Sequence, residues 1–279
     1  MSTLLQEVQS AAAYLESCGL EHPRKEVEEL LGSVLGLSRL DIYLYPDRKL
    51  NSLQSLNFKE LVGRRAKREP LQHILGNVDF YNCILKSDKR ALIPRPETEE
   101  LVEKIIKEIG SKSGVFYDIC CGTGCIAIAV KKACPQLDVY ASDIDPDALS
   151  LARENAEINN VLVTFAQGDL CQPLQGRPCD FLACNPPYIA TQEIPALQPE
   201  VHAYEPNKAL DGGTDGLEFY RRLNNELPAL LKSGGKAWLE IGHGQGHDLI
   251  GIFNTPSWTE CHLDKDRAGR ERYIFLVNE

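Results

Sequence analysis

A chain of 279 residues with 43% hydrophobic and 25% charged side chains has an ordinary globular composition and enough apolar mass for a sizeable core; its length suits one large domain, or a large one with a small one. A formal charge of −10 argues against a whole-molecule electrostatic grip on DNA or RNA, which would need positive potential, so no direct nucleic-acid partner is expected. No stretch approaches the roughly 20 apolar residues of a membrane span, the first residues carry Glu7 and Glu16 rather than a signal-peptide pattern, and ten cysteines, several of them inside apolar runs, read as reduced thiols of a cytoplasmic protein.

Residues 1 to 76 have helical periodicity. Leu4, Val8, Ala12 and Leu15 share one face, as do Val27, Leu30, Leu31, Val34 and Leu35 before Gly36. A further helix begins at Phe58, Leu61 and Val62; its Lys59, Arg64, Arg65, Lys67 and Arg68 read as a solvated charged face. Residues 77 to 93 change character: Val78–Tyr81 and Cys83–Lys86 suggest a short β-hairpin that connects two domains.

From residue 94 to 279 strands and helices alternate. Strands are expected at 115–119, 139–142, 163–166, 181–184 and 237–241, with helices at about 97–109, 124–133, 146–159 and 217–232. That alternation predicts an α/β domain, a parallel sheet with helices on both faces. The segments around Cys261–Leu263 and Tyr273–Val277 offer two more strands. In Pro94–Glu99 the prolines stop the preceding strand, Thr98 or a neighbour caps the next helix, and the glutamates complement its dipole. Asp211-Gly212-Gly213 reads as a tight turn, His202 and Glu205 as loop structure, and the glycine-rich His243–His247 as a surface loop, not a metal site.

The first strand of the alternating region runs through Asp118 into Cys120-Cys121-Gly122-Thr123-Gly124 and then a helix. Ligands of open α/β sheets bind beyond the carboxyl ends of the strands, and the glycines allow a tight turn and close approach. Asp143, 19 residues past Gly124, ends the second strand, where a carboxylate can accept from two ribose hydroxyls. Asp169 can reach an adenine amino group and Leu170 can pack on the ring. Gly122–Ala127 also fits the dinucleotide fingerprint, so an NAD-dependent dehydrogenase is one rival. Asp118, placed to hold a ligand ammonium, favours S-adenosylmethionine instead. So does Asn185-Pro186-Pro187-Tyr188, at the end of the apolar run Phe181–Cys184. Two prolines freeze two φ angles and remove two donors. What remains can hold a flat –NH2 group: Asn185 Oδ1 and the Pro186 carbonyl accept its hydrogens and the Tyr188 ring covers it. Beside a methyl donor, such a loop suits methylation of an amide or amino nitrogen, by orientation and without a metal. A methyltransferase of the exocyclic amine of adenine uses the same chemistry and is the nearest alternative; a binding protein that no longer turns over is a third.

With Phe80-Tyr81, Ile93-Pro94-Arg95-Pro96-Glu97-Thr98-Glu99, the glycine-rich turn, Asn185–Tyr188 and Glu205-Pro206 with Ala209-Leu210 in hand, the chain resembles nearly end to end the protein-glutamine methyltransferases that modify peptide-chain release factors, the HemK/PrmC family. The resemblance implies a Rossmann-like S-adenosylmethionine-dependent core, with S-adenosylhomocysteine as product, and a small N-terminal helical domain that recognises a protein. It implies methylation of the glutamine amide in the Gly-Gly-Gln motif of class 1 release factors, modulating translation termination. Asn185, Pro186, Pro187 and Tyr188 would hold that glutamine; Cys120 to Gly124, Asp143, Leu170 and Asn185 would line the cofactor site. Cys120 stands where the family usually has glycine, and Leu170 where some relatives carry an aromatic.

Overall fold

The computed structural model describes residues 2–279. It divides into two compact units, Met1–Gly76 with Gln198–Tyr204, and Asn77–Leu197 with Glu205–Glu279. The first unit holds α1 (Leu4–Ser17), α2 (Arg24–Leu35), α3 (Arg39–Leu44), α4 (Ser52–Ala66) and α5 (Leu71–Leu75). Thr3, Ser38 and Asn51 each close a capping box at the start of α1, α3 and α4. Leu4, Val8, Leu15, Val27, Leu30, Leu31, Ile42 and Phe58 form its buried core. The charged face of α4 is not uniformly solvated. Arg65 is buried and binds Glu26 at 2.5 Å and Glu200 at 2.9 Å, and Arg68 reaches the other oxygen of Glu200 at 2.8 Å. Glu200 comes from the distant segment of the same unit, a pairing that helical periodicity cannot reveal.

The second unit opens with the hairpin β1 (Asn77–Phe80) and β2 (Cys83–Lys86), closed by Tyr81 and Asn82 at φ 40° and 61°; two left-handed residues match the right-handed twist of a two-residue hairpin. Then follow α6 (Pro96–Ile109), β3 (Gly114–Ile119), α7 (Cys125–Ala133), β4 (Leu137–Asp143), α8 (Pro146–Ile158), β5 (Thr164–Gln167) and β6 (Cys179–Cys184). The short α9 (Pro199–His202) lies in the segment belonging to the first unit; α10 (Glu218–Leu230), β7 (Leu231–Glu240), α11 (Gly246–Phe253), β8 (Trp258–Lys265) and β9 (Glu271–Asn278) complete the chain.

The seven-stranded sheet has the order β5-β4-β3-β6-β7-β9-β8. β5 to β7 are parallel, and β9 runs antiparallel to both of its neighbours. Period-two alternation divides the side chains between two cores. Phe116, Phe181, Ala183 and Trp238 pack with α6, α7, α8 and the hairpin; Tyr117, Ile119, Leu182, Cys184 and Leu239 pack with α10 and α11. Strand order reverses at β3 and β6, which leaves a crevice at their carboxyl ends.

Three local expectations change. Thr98 does not cap α6: the cap position is Arg95, which makes no side-chain cap bond, while the Thr98 hydroxyl bonds elsewhere. His247 lies in the first turn of α11 rather than in a loop, because Leu249 and Phe253, one turn apart, bury that helix; His243 and His247 are both exposed. Asp211-Gly212-Gly213 is more than a turn, since its backbone bonds to Ile189 and Thr191 and pins the chain leaving Tyr188.

Asn155, wholly buried on α8, joins three parts of this unit: its Oδ1 accepts from Lys86 N at 2.6 Å, and its Nδ2 donates to Lys86 O at 3.2 Å and Thr123 O at 3.0 Å. Asn155→Ala orphans these buried backbone groups and should lower unfolding free energy by about 1–3 kcal/mol or somewhat more; urea denaturation followed by circular dichroism measures it.

Candidate active site

Beyond Ile119 the backbone turns sharply. Cys120, Gly122 and Gly124 have φ of 58°, 51° and 77°, the left-handed region that costs a side-chain-bearing residue about 1–2 kcal/mol. A Cβ on Gly124 would also crowd its neighbours, standing 3.1 Å from the Ala152 Cβ and 3.2 Å from the Ile128 Cδ1. The turn is fixed by Gly124 N donating to Cys121 O at 2.7 Å, by Cys121 N donating to Ser142 O, and by Gly122 N donating to Asp143 Oδ2 at 2.9 Å. Asp143 Oδ1 accepts from Asp145 N. Burial pushes the Asp143 carboxyl above its ordinary range, against these two amide bonds, which lower it.

The turn borders a cavity of about 440 Å³ whose lining includes Cys120, Cys121, Gly122, Thr123, Asp143, Asp169, Leu170, Asn185 and Pro187. Residues from both strand ends thus share one space. Leu170 is 4% exposed and has φ 44°. Arg222 Nη2 donates to Asp169 Oδ2 at 2.8 Å, which leaves Oδ1 and the second lone pair of Oδ2 as acceptors. Arg95, which the sequence also offers for the cofactor edge, lines the cavity, whereas chain pattern alone missed Thr98, Ile144, Lys208, Phe219 and Arg222 as lining groups. Lys208 and Arg222 meet Asp145 and Asp169 as ion pairs that only the folded loops create.

Asp118, Gly124, Pro186 and Tyr188 are not in the cavity wall. Asp118 is buried: alternation turns it toward α7, where its Oδ2 accepts from Ala127 N at 3.0 Å. Its Oδ1 has no partner among the described residues. Desolvation, helped by the nearby Asp143 charge and opposed by the Ala127 bond, raises its pKa to about 8. Tyr188 is held from behind. Its carbonyl accepts from Gln245 Nε2 at 2.9 Å, a Cβ on Gly212 would stand 2.8 Å from its Cα, and one on Gly242 3.1 Å from its ring. Pro186 and Pro187 are buried. Asn185 projects into the cavity with its Nδ2 donating to Thr98 Oγ1 at 3.4 Å, while Thr98 Oγ1 donates to Glu240 Oε2 at 2.7 Å. Glu205 is buried, accepting from Ile93 N at 3.3 Å and from Arg95 Nη2 at 2.5 Å, so it anchors the Pro-Arg-Pro segment.

The family model described as PrmC N-terminal domain matches residues 6–76, and the one described as Methyltransferase small domain matches residues 96–201. A release factor glutamine methyltransferase of Geobacter sulfurreducens is 41% identical over 94% of this chain and 92% of its own; one of Chlamydia trachomatis serovar D is 42% identical over 100% and 94%. The chain belongs to the release factor glutamine methyltransferase family. Its fold is that of the Rossmann-like methyltransferases: a solved methyltransferase from Pyrococcus furiosus covers 70% of this chain with 88% of its own, at a TM-score of 0.54 and 18% identity. Among the described residues no helix is long and apolar enough to cross a membrane.

Raised from an ordinary 3.8 to about 8, the Asp118 pKa makes the folded state hold a proton that the unfolded chain releases. The associated stability is fully present below about pH 4 and is lost as pH rises to 8. Asp118→Asn cannot ionise, so between pH 5 and 8 the melting temperature of the wild type should fall relative to that of the variant, by about 2–6 °C; parallel curves for the two ligand-free proteins contradict the assignment.

Proposed function

We propose that this protein transfers a methyl group from S-adenosylmethionine to the side-chain amide nitrogen of a glutamine in a peptide-chain release factor, the glutamine of the Gly-Gly-Gln motif of class 1 factors. The observation that carries it is the position of Asn185: a rigid Pro-Pro loop sets its amide on the wall of the cavity that also receives the glycine-rich turn, and the chain's family supplies the acceptor class.

The residues present suit that cofactor. Asp143 ends β4 beside the turn, Leu170 offers an apolar wall, and the unpartnered Asp118 Oδ1 beneath the turn is an acceptor of the kind an ammonium group satisfies. Cys120 to Gly124, Asp143, Asp169, Leu170 and Asn185 would hold the group, which supplies an electrophilic methyl carbon on a sulfonium. S-adenosylhomocysteine would be the product.

What the chain itself does is hold the acceptor. An amide nitrogen is a poor nucleophile because its lone pair is shared with the carbonyl. Asn185 Oδ1 and the Pro186 carbonyl would accept its two hydrogens, fixing the plane of the glutamine amide so that the nitrogen face meets the methyl carbon. Such pre-orientation lowers the barrier by removing rotational and translational freedom. Tyr188 would shield the slot, its backbone held by the packing at Gly212 and its ring by that at Gly242. No strong base is needed first, since the proton can leave during or after transfer. The helical first unit would recognise the protein substrate in a cytoplasmic setting, without direct nucleic-acid contact.

Incubation with labelled S-adenosylmethionine and a class 1 release factor should place label in the Gly-Gly-Gln peptide, located by mass spectrometry, and not in DNA or RNA offered in its place. Label on adenine instead would establish the nucleic-acid reading. Asn185→Ala should slow single-turnover methylation at saturating S-adenosylmethionine by at least about 10-fold, the cost of a lost buried bond plus mis-aiming.

A further inference from the structure

We propose that Thr98 and Glu240 are positioning residues that fix which edge of the Asn185 side chain faces the substrate, so that the enzyme is competent only while the Glu240 carboxylate is ionised. This rests on the reading of Asn185 as acceptor for the substrate amide.

The three residues come from separate elements. Thr98 is in the first turn of α6, Glu240 is the last residue of β7, and Asn185 follows β6. Thr98 is 2% and Glu240 1% exposed, so neither is a solvated group that happened to pair. An ionised carboxylate can only accept, so the Thr98 hydroxyl must spend its single hydrogen on Glu240, over 2.7 Å. Thr98 Oγ1 can then only accept from Asn185, which obliges the –NH2 edge of that amide to face Thr98 at 3.4 Å. Asn185 Oδ1, the acceptor edge, is left for the cavity. An asparagine amide has nearly the same shape with oxygen and nitrogen exchanged, so shape alone does not choose between them; a one-way chain of donors does.

A protonated Glu240 removes that direction. Its own hydroxyl can donate to Thr98 Oγ1, freeing the Thr98 hydrogen to donate to Asn185 and permitting the amide to flip. Its –NH2 edge would then confront the –NH2 of the substrate. Burial raises the Glu240 pKa from 4.5 to about 7, against the bonds from Thr98 and Asn185 and the Arg272 guanidinium, while the Glu97 carboxylate adds to the rise. The other titratable groups facing it are Tyr188, Tyr220, Tyr273 and Cys125, all pushed up by burial and neutral at pH 7. Asp118 also titrates near neutrality, on β3, so the Glu240 variant is needed to separate the two.

The test has two readouts on the full-length protein. The first needs no substrate: the Asn185 side-chain –NH2 resonances, assigned by their loss in Asn185→Ala, are followed by nitrogen-15 NMR from pH 5.5 to 8.5. They should move with a midpoint near 7 in the wild type and stay flat in Glu240→Gln. The second is single-turnover methylation of a release factor. Its rate should rise with pH through the same midpoint, lose that rise in Glu240→Gln, and fall about 10- to 100-fold in Thr98→Val. Thr98→Ser should restore it to within about 3-fold, and S-adenosylmethionine affinity should stay within about 2-fold throughout. Resonances that titrate identically in Glu240→Gln, or a Thr98→Val enzyme of wild-type rate, overturn the proposal. If wild-type protein fails to methylate the factor while the resonances behave as expected, the relay stands and it is the substrate reading that falls.

Discussion

Everything at the site depends on β3 and β6 being hydrogen-bonded neighbours in parallel, with Ile119 paired to Cys184 at their ends. The residue after Ile119 opens the glycine-rich turn and the residue after Cys184 is Asn185, so two segments 65 positions apart leave the sheet side by side. A parallel ladder is rigid at this place because it is buried on both faces, under α6 to α8 on one side and α10 and α11 on the other. The chain moves outward in opposite directions from these two strands, and the crossovers leave a crevice open between them. A slip of one residue in either register would turn Asn185 from the α6 face to the other and dissolve the arrangement.

The same geometry explains why two carboxyl groups are kept where burial disfavours their charge. Asp118 and Glu240 follow the alternation of Phe116 and Trp238, so both turn toward the helices α6 and α7 at the carboxyl ends of their strands. An apolar residue in either place would avoid desolvation. Their retention next to a cavity is the pattern expected where ionisable groups serve a ligand or a neighbour, rather than stability. Arg65 in the helical unit is the contrasting case, since its buried charge is matched at once by Glu26 and Glu200.

The loops around the cavity are crowded rather than flexible. Gly212 and Gly216 lie so near Tyr188 that a Cβ on either would stand 2.8 Å and 2.3 Å from its backbone. Gln245 ties the same carbonyl to Gly216 and to Gly242. Against this background Cys120, like Leu170, carries a side chain on a left-handed backbone that glycine adopts freely, here a thiol partly buried against the α10 face. The turn is held by so many bonds that the strain of about 1–2 kcal/mol persists.

Much was legible in the chain alone. Alternating apolar runs and helical periodicity are local, so the strands, the principal helices and the α/β class follow from spacing. The Asn-Pro-Pro-Tyr quartet reads as a rigid loop at a strand end because prolines restrict the backbone wherever they stand. The glycine-rich turn announces a ligand, though not which one. Local pattern could not supply partners across the sheet. Thr98 looks like a helix cap until β7 brings Glu240 beneath it, and Asp211–Gly213 looks like a turn until it bonds to the strand-end loop. Arg65 looks solvated until Glu200 reaches it, and no spacing along the chain pairs Asp169 with Arg222. Sequence by itself determined which groups are present and which backbone each can adopt. Tertiary structure alone decided which of them are desolvated and which face one another, because burial and hydrogen-bond direction arise only between segments far apart along the chain.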